Sequence, residues 1–396
     1  MATFAILILA YLLSQFFRAF LAVIAPELAR DVGLDPGDLG LVSGAFFVTF
    51  ALAQIPIGIA LDRIGPRITV AVLMLSAVAG SLLFAVAERP WQPIAGMGLI
   101  GIGCAPVYMA SLYIIGRTKS AAGFATWSSL IVAVGSLGNL FAATPFASLV
   151  AAYGWRAGMA TVGALTVASA LSVLIVVRDP PPLTTSGPRG NPFAMGEVLG
   201  IRQLWPILPI ALTAYPILAA TRGLWIGPYF SEVHGLGPVD RGNAVMAMVI
   251  AMIAGAVVYG PLDRVLGTRK WVIVGGTVAT VAALAALALR PGLGVVAAAL
   301  LFGVMGGFGM TYGVVMAHAR AFLPEHALGR GLSVMNTCMI GGAGVLQPIS
   351  GAYVGALAAE GMAPAEIYAA LFGGFGLLLA ASLGIYLFAK DARPGA

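Results

Sequence analysis

Two arginines interrupt oily sequence. Arg18 stands in "YLLSQFFRAF", which begins at Tyr11, and Arg222 closes "YPILAATR", which begins at Tyr215. In each case the arginine follows the tyrosine by seven residues. That is close to two helical turns, so each Tyr and Arg share one helix face. A guanidinium deep in an apolar helix costs about 2.5 to 3.5 kcal/mol on insertion scales, so it normally faces protein or water and has a partner. All 15 Asp and Glu residues fall in loops or at the ends of apolar runs, so neither arginine has an obvious protein counter-ion. An anionic solute is the economical partner, because a guanidinium takes carboxylate or phosphate through two parallel hydrogen bonds. The competing use is structural: both arginines bond backbone carbonyls, or snorkel outward, a reach of about 12 Å for Arg18. Gln15, Trp225 and Tyr229 share these faces and can donate hydrogen bonds or form a flat wall. Ser128 and Asn139 correspond by displacement to Asn336 and Gln347. Asn336 and Gln347 join the candidate solute contacts, although membrane amides more often tie helices together.

The elements that position these residues follow from composition. Of the 396 residues, 60% are hydrophobic and 9% charged, against about 25% charged in a soluble chain. Apolar runs of about 20 residues, each long enough to cross a bilayer, recur to the C-terminus. They predict an all-α membrane protein with twelve spans. The first six are about 3–26, 37–61, 68–87, 91–116, 121–150 and 156–177; the second six are about 205–231, 241–261, 270–289, 293–319, 328–356 and 365–389. The first span lacks a basic n-region and a small-residue cleavage site, so it reads as a retained helix rather than a signal peptide. Outside the spans, only Arg30, Arg89, Arg156, Arg241 and Arg290 lie on one side, and every other Lys and Arg lies on the opposite one. Positive charge marks the cytoplasmic side, so both termini are expected there. The basic balance, with a pI of 9.5, then follows from topology and implies no nucleic-acid partner. A Pro-, Gly- and Ser-rich stretch sets the expected domains: a six-helix bundle over 1–178, a cytoplasmic linker over 179–204 and a second bundle over 205–396.

The halves repeat. "GLDPGDLG" from Gly33 is matched by "GLGPVDRG" from Gly235, and Pro26 and Pro228 precede them at the same displacement. "GIALDRIGPR" from Gly58 is matched by "GPLDRVLGTRK" from Gly260. The two arginines align only with a two-residue slip relative to the prolines. Gly58, Asp62, Arg63, Gly65 and Arg67 resemble the inner-loop signature of the major facilitator superfamily, and Gly260, Leu262, Asp263, Arg264, Gly267 and Arg269 resemble its second copy. "YGWR" from Tyr153 resembles another common facilitator feature. Pro66 replaces a usual basic residue, and the second copy carries a shifted glycine and one extra residue. The resemblance implies two six-helix pseudo-repeats, alternating access, and spans one and seven lining a central cavity. It also implies a conformational latch in Gly58, Asp62, Arg63, Gly65, Arg67, Asp263 and Arg264, against the plainer reading of loops that fix topology. An arginine on each of spans one and seven is similar to the pattern of organophosphate antiporters.

The expected function is a secondary transporter that moves a small organic anion, a carboxylate or phosphate ester, across a bacterial inner membrane. Proton-coupled export of hydrophobic or cationic drugs is an alternative that the lack of an intramembrane acid disfavours, and a transporter-like solute sensor is another. His318 is the candidate proton-coupling group, beside the rim residues Glu27 and Glu232; a solvated helix terminus is the commoner fate of such a histidine. Exchange or uniport is therefore favoured. Cys104 and Cys338 have no ligand spacing and read as packing residues. No nucleophile, base and orienting group are spaced for catalysis, so no enzyme, cofactor or metal is expected. The expected partners are the anionic solute and the lipid bilayer, with the chain acting as a monomer.

Overall fold

The computed structural model describes residues 2–118, 121–180, 200–324 and 328–392. Every regular element among them is helical, as a chain in lipid requires when its backbone must satisfy itself within each segment. Among the described residues, ten helical stretches are long and apolar enough to cross a membrane, or eleven with one bent pair counted as a span. The expected 179–204 linker falls mostly on residues outside those described.

The bent pair is the first span. α1 (Ala2–Phe16) and α2 (Leu21–Val32) meet at a 50° bend. α3 (Pro36–Arg63), α4 (Pro66–Ala85) and α5 (Trp91–Thr118) follow. Then come α6 (Ala121–Gly135), the short α7 (Leu137–Phe141) and α8 (Thr144–Val176). The stretch Leu130–Val176 has 47 residues, about 70 Å at helical rise and too long for one crossing of a core about 30 Å thick. It is broken at Gly154, whose φ of 81° and ψ of 160° no helix contains. The glycine of "YGWR" thus ends one helix and lets Trp155 begin the next.

The repeated loop sequences are stop and start signals. Gly33 closes α2 in the left-handed conformation. Asp35 then caps α3 in a reciprocal box with Asp38, whose backbone N–H donates to Asp35 Oδ1 at 2.7 Å, and Pro36 occupies the first turn. In the second copy Gly235 again has positive φ, and Pro238 opens α11 after α9 (Leu208–Ala220) and α10 (Ile226–Glu232); α11 is Pro238–Leu266. The chain continues through α12 (Lys270–Leu289), α13 (Val295–Phe308), α14 (Tyr312–Arg320), α15 (Leu328–Ala359) and α16 (Pro364–Tyr386).

Two compact units emerge. One holds residues 1–183 together with 223–231 and 235–246; the other holds 184–222, 232–234 and 247–396. The first unit therefore includes α10 and the start of α11. Gly223 and Gly227 lie one turn apart against α2: a Cβ on Gly223 would come within 2.9 Å of the Arg18 carbonyl oxygen, and one on Gly227 would overlap the Ala22 carbonyl. Pro26 has no N–H to give that carbonyl its helical bond, and small residues four apart let two membrane helices approach this closely.

Candidate functional site

Arg18 sits in the bend of the first span. Between Phe16 and Leu21 the backbone tightens: Arg18 N–H donates to Gln15 O at 3.3 Å and Ala19 N–H to Phe16 O at 2.9 Å, both reaching three residues back. The guanidinium lies 4.6 Å from the Phe50 ring centroid and 5.9 Å from that of Phe46, contacts that a desolvated cation favours by about 2 kcal/mol. Its Nε is buried without a hydrogen bond. Tyr11 stacks on Tyr108 of α5 at 5.1 Å, and Gln15 Nε2 donates to the Tyr11 hydroxyl at 3.2 Å.

The second arginine also falls on irregular backbone. Residues Thr221–Trp225 form a π-helical turn between α9 and α10, and Arg222 lies within it, 5% exposed. Tyr215 packs against Tyr312 of α14 at 5.5 Å, and the Tyr312 hydroxyl donates to Asn336 Oδ1 at 2.6 Å. Trp225 and Tyr229 are buried in the first unit. Gln347 is fully buried, and neither its side-chain nitrogen nor its oxygen has a hydrogen bond. A buried amide in that state marks a place where another polar group belongs. Asn139 instead turns to its own helix, donating to Ser136 O at 3.4 Å; the side chain of Ser128 is outside those described.

Tyr108 and Tyr312 were missed by the sequence reading. The signal was present, since the displacement that carries Tyr11 to Tyr215 and Arg18 to Arg222 also carries Tyr108 to Tyr312. The loop blocks repeat at a displacement two residues shorter, and the difference falls between Arg18 and Pro26, and between Arg222 and Pro228, where both helices lose regularity.

The two loops that carry the repeated signature are clamps within each unit. Gly65, with φ 96° and ψ 160°, caps α4; its missing Cβ would stand 2.7 Å from Asp179 Oδ2. Arg67 N–H donates to Asp179 Oδ1 at 2.7 Å, and Arg67 Nε donates to Leu174 O at 2.6 Å. The second copy repeats the plan: Lys270 N–H donates to Asp391 Oδ1 at 3.0 Å, Lys270 Nζ to Leu387 O at 2.6 Å, and Thr268 Oγ1 to Asp391 Oδ2 at 2.5 Å. Partial burial raises the Asp391 carboxyl, but its bonds from Thr268, Lys270 and Arg269 hold it below its ordinary range. Asp263 is buried beside Arg269, with Nε to Oδ2 at 3.4 Å, whereas Arg264 and Arg63 are exposed. Gly58 is half-buried, and the Asp62 side chain lies outside the described residues.

His318 is not the solvated terminus expected of it. It is fully buried, with Nε2 2.8 Å from Lys390 O and Nδ1 2.6 Å from the Tyr386 hydroxyl. A carbonyl only accepts, so Nε2 carries a proton; in the neutral imidazole Nδ1 then accepts from Tyr386. Glu27 accepts from Arg241 Nη2 at 2.5 Å. That arginine also donates to Val23 O at 3.0 Å, Ser231 Oγ at 3.2 Å and Leu236 O at 3.3 Å, and its side chain is 3% exposed. Glu232 accepts from the Tyr368 hydroxyl at 3.0 Å. Among the described residues no group of His, Cys, Asp and Glu is placed to hold a metal ion.

Ten or eleven apolar helical stretches, with charges concentrated at their ends and two arginines at broken turns, define a multi-pass integral membrane protein. The chain belongs to the Major Facilitator Superfamily, whose family profile matches residues 7–345. It is similar to the membrane sensor protein UhpC of Salmonella typhimurium, 24% identical over 279 residues that make up 64% of this chain and 61% of UhpC. The chain thus spans less than two thirds of that relative. The gentisate transporter of Corynebacterium glutamicum is 26% identical over 324 residues, 77% of this chain and 70% of that protein. The solved D-xylose–proton symporter covers 98% of both chains with a TM-score of 0.77 at 15% identity, a likeness of fold.

Proposed function

We propose that the protein is a secondary transporter that moves a small organic anion across the inner membrane by alternating access, with Arg18 and Arg222 binding the anion. The observation that carries this reading is that both arginines sit where their helices lose regular hydrogen bonding. Irregular backbone at membrane depth is tolerated where it is buried in protein or lines a wet cavity, and carriers place solute sites at such discontinuities. The unbonded, buried Nε of Arg18 and the unsatisfied Gln347 amide support a polar ligand nearby. A relative named for a carboxylate, gentisate, agrees with the anion class. Gln15, Tyr11, Tyr215, Trp225, Tyr229 and Asn336 are the remaining proposed contacts. Twelve spans with both termini in the cytoplasm complete the reading, supported by the positive charges of one face and by the Gly154 break. Substrate exchange or uniport fits a fully bonded His318, and the inner loops act as latches that hold one conformation.

The test is counterflow of labelled organic anions into liposomes carrying the purified protein. Arg18→Gln and Arg222→Gln are each expected to lower uptake at least tenfold while the protein still inserts and folds. Undiminished counterflow in both variants would sink the assignment. A solute sensor is the second reading, favoured by the likeness to UhpC; it predicts anion-dependent thermal stabilisation with no counterflow at all.

A further inference from the structure

We infer that the groove between α12 and α13 binds one anionic phospholipid, with an acyl chain in the groove and the headgroup phosphate on Arg290. The site lies wholly within the second unit and is independent of the transported solute. α12 has 20 residues, about 30 Å of rise and enough to cross the hydrocarbon once. Arg290 caps its C-terminus and so stands at the boundary between hydrocarbon and headgroups. The groove beside it has a volume of about 470 Å³. Ala286 and Arg290 form the α12 wall, while Leu293, Ala297, Leu300 and Val304, spaced four, three and four residues apart, form a stripe along α13. From Leu293 to Val304 the stripe reaches about 16 Å at helical rise, close to one leaflet's half of a core about 30 Å thick. Leu289, Val296 and Leu300 around it are strongly exposed, so its mouth opens into hydrocarbon.

The groove has a cause in the sequence. In the first unit the equivalent helices meet backbone to backbone at Gly80 and Gly96, where a Cβ on Gly96 would stand 2.9 Å from the Gly80 carbonyl oxygen. The displacement that carries Tyr108 to Tyr312 carries Gly80 to Leu284 and Gly96 to Leu300. A leucine at either position forbids that approach. Charge complementarity then names the occupant. Arg290 is exposed, and among the described residues its guanidinium has no hydrogen bond or ion pair. It matches a phosphodiester through two parallel hydrogen bonds. A zwitterionic headgroup carries its own cation beside the phosphate, whereas an anionic one leaves the phosphate charge for the arginine. Free phosphate would gain nothing from the apolar stripe. Groove and charge together select a lipid with a net negative headgroup.

The test is native mass spectrometry of the purified full-length protein, released from micelles that hold equimolar phosphatidylglycerol and phosphatidylcholine with the same acyl chains. The wild type is expected to keep one phosphatidylglycerol in about fivefold preference, the effect of one basic residue on an anionic lipid. Arg290→Gln should abolish the preference, and Ala297→Phe, which fills the groove, should lower retention of both lipids. Arg89→Gln removes an exposed arginine from the loop between α4 and α5 and should leave the preference intact, as should millimolar inorganic phosphate. The inference is overturned by a wild type without preference, by a preference that survives Arg290→Gln, or by unchanged retention in Ala297→Phe. Equal loss in Arg89→Gln would show a general attraction to basic loops, and displacement by phosphate a soluble-anion site; either outcome also overturns it.

Discussion

A single glycine shows how much one residue carries here. Gly65 occupies a region of backbone space that is almost closed to other residues, at a typical cost of about 1–3 kcal/mol. It also leaves room for the Asp179 carboxylate that caps α4. Gly65→Ala is expected to lower stability by about that amount, seen as a fall in the thermal midpoint in detergent, whereas Gly58→Ala, with open space around its Cβ position, should lie within about 0.5 kcal/mol of wild type. The glycine was legible as part of a signature, but its partner was not. Asp179 lies far along the chain, in what reads as the start of a linker, and no local pattern ties it to residue 65. The same holds for His318, whose two hydrogen-bond partners, Tyr386 and Lys390, come from the distant C-terminal segment.

At the scale of elements, the clearest feature is α10 and the start of α11 lying on α2. Glycine-to-backbone contacts set the distance, and the Arg241–Glu27 pair fixes the register. Removing one member of a buried pair leaves the other charge unpaired, at about 3–5 kcal/mol, while removing both can cost little. Glu27→Ala is therefore expected to be strongly destabilising, and Glu27→Ala combined with Arg241→Ala less so. A thermal double-mutant cycle measures the difference, and additive losses would show that the two side chains do not act as a pair. Sequence placed both residues in outer loops and gave neither a partner. A charge near the end of a span looks solvated until a second helix covers it.

For the whole molecule, the proposed twelve-span arrangement with both termini in the cytoplasm makes a direct prediction. In a chain whose native Cys104 and Cys338 are replaced by serine, a cysteine at Asp35 should react with a membrane-impermeant maleimide in intact cells. A cysteine at Arg264 should react only after permeabilisation; the reverse pattern, or equal labelling, contradicts the orientation. The sequence by itself determined the membrane class, the helical fold, the internal repeat and the two arginines. Each of these is written in composition, in run length or in short spacings, and lipid leaves an apolar run few structures to adopt. Tertiary structure alone decided that the arginines fall on broken turns and which carboxylates cap which helices. Those contacts join residues up to hundreds of positions apart, and their cost and benefit arise from packing that no local window contains.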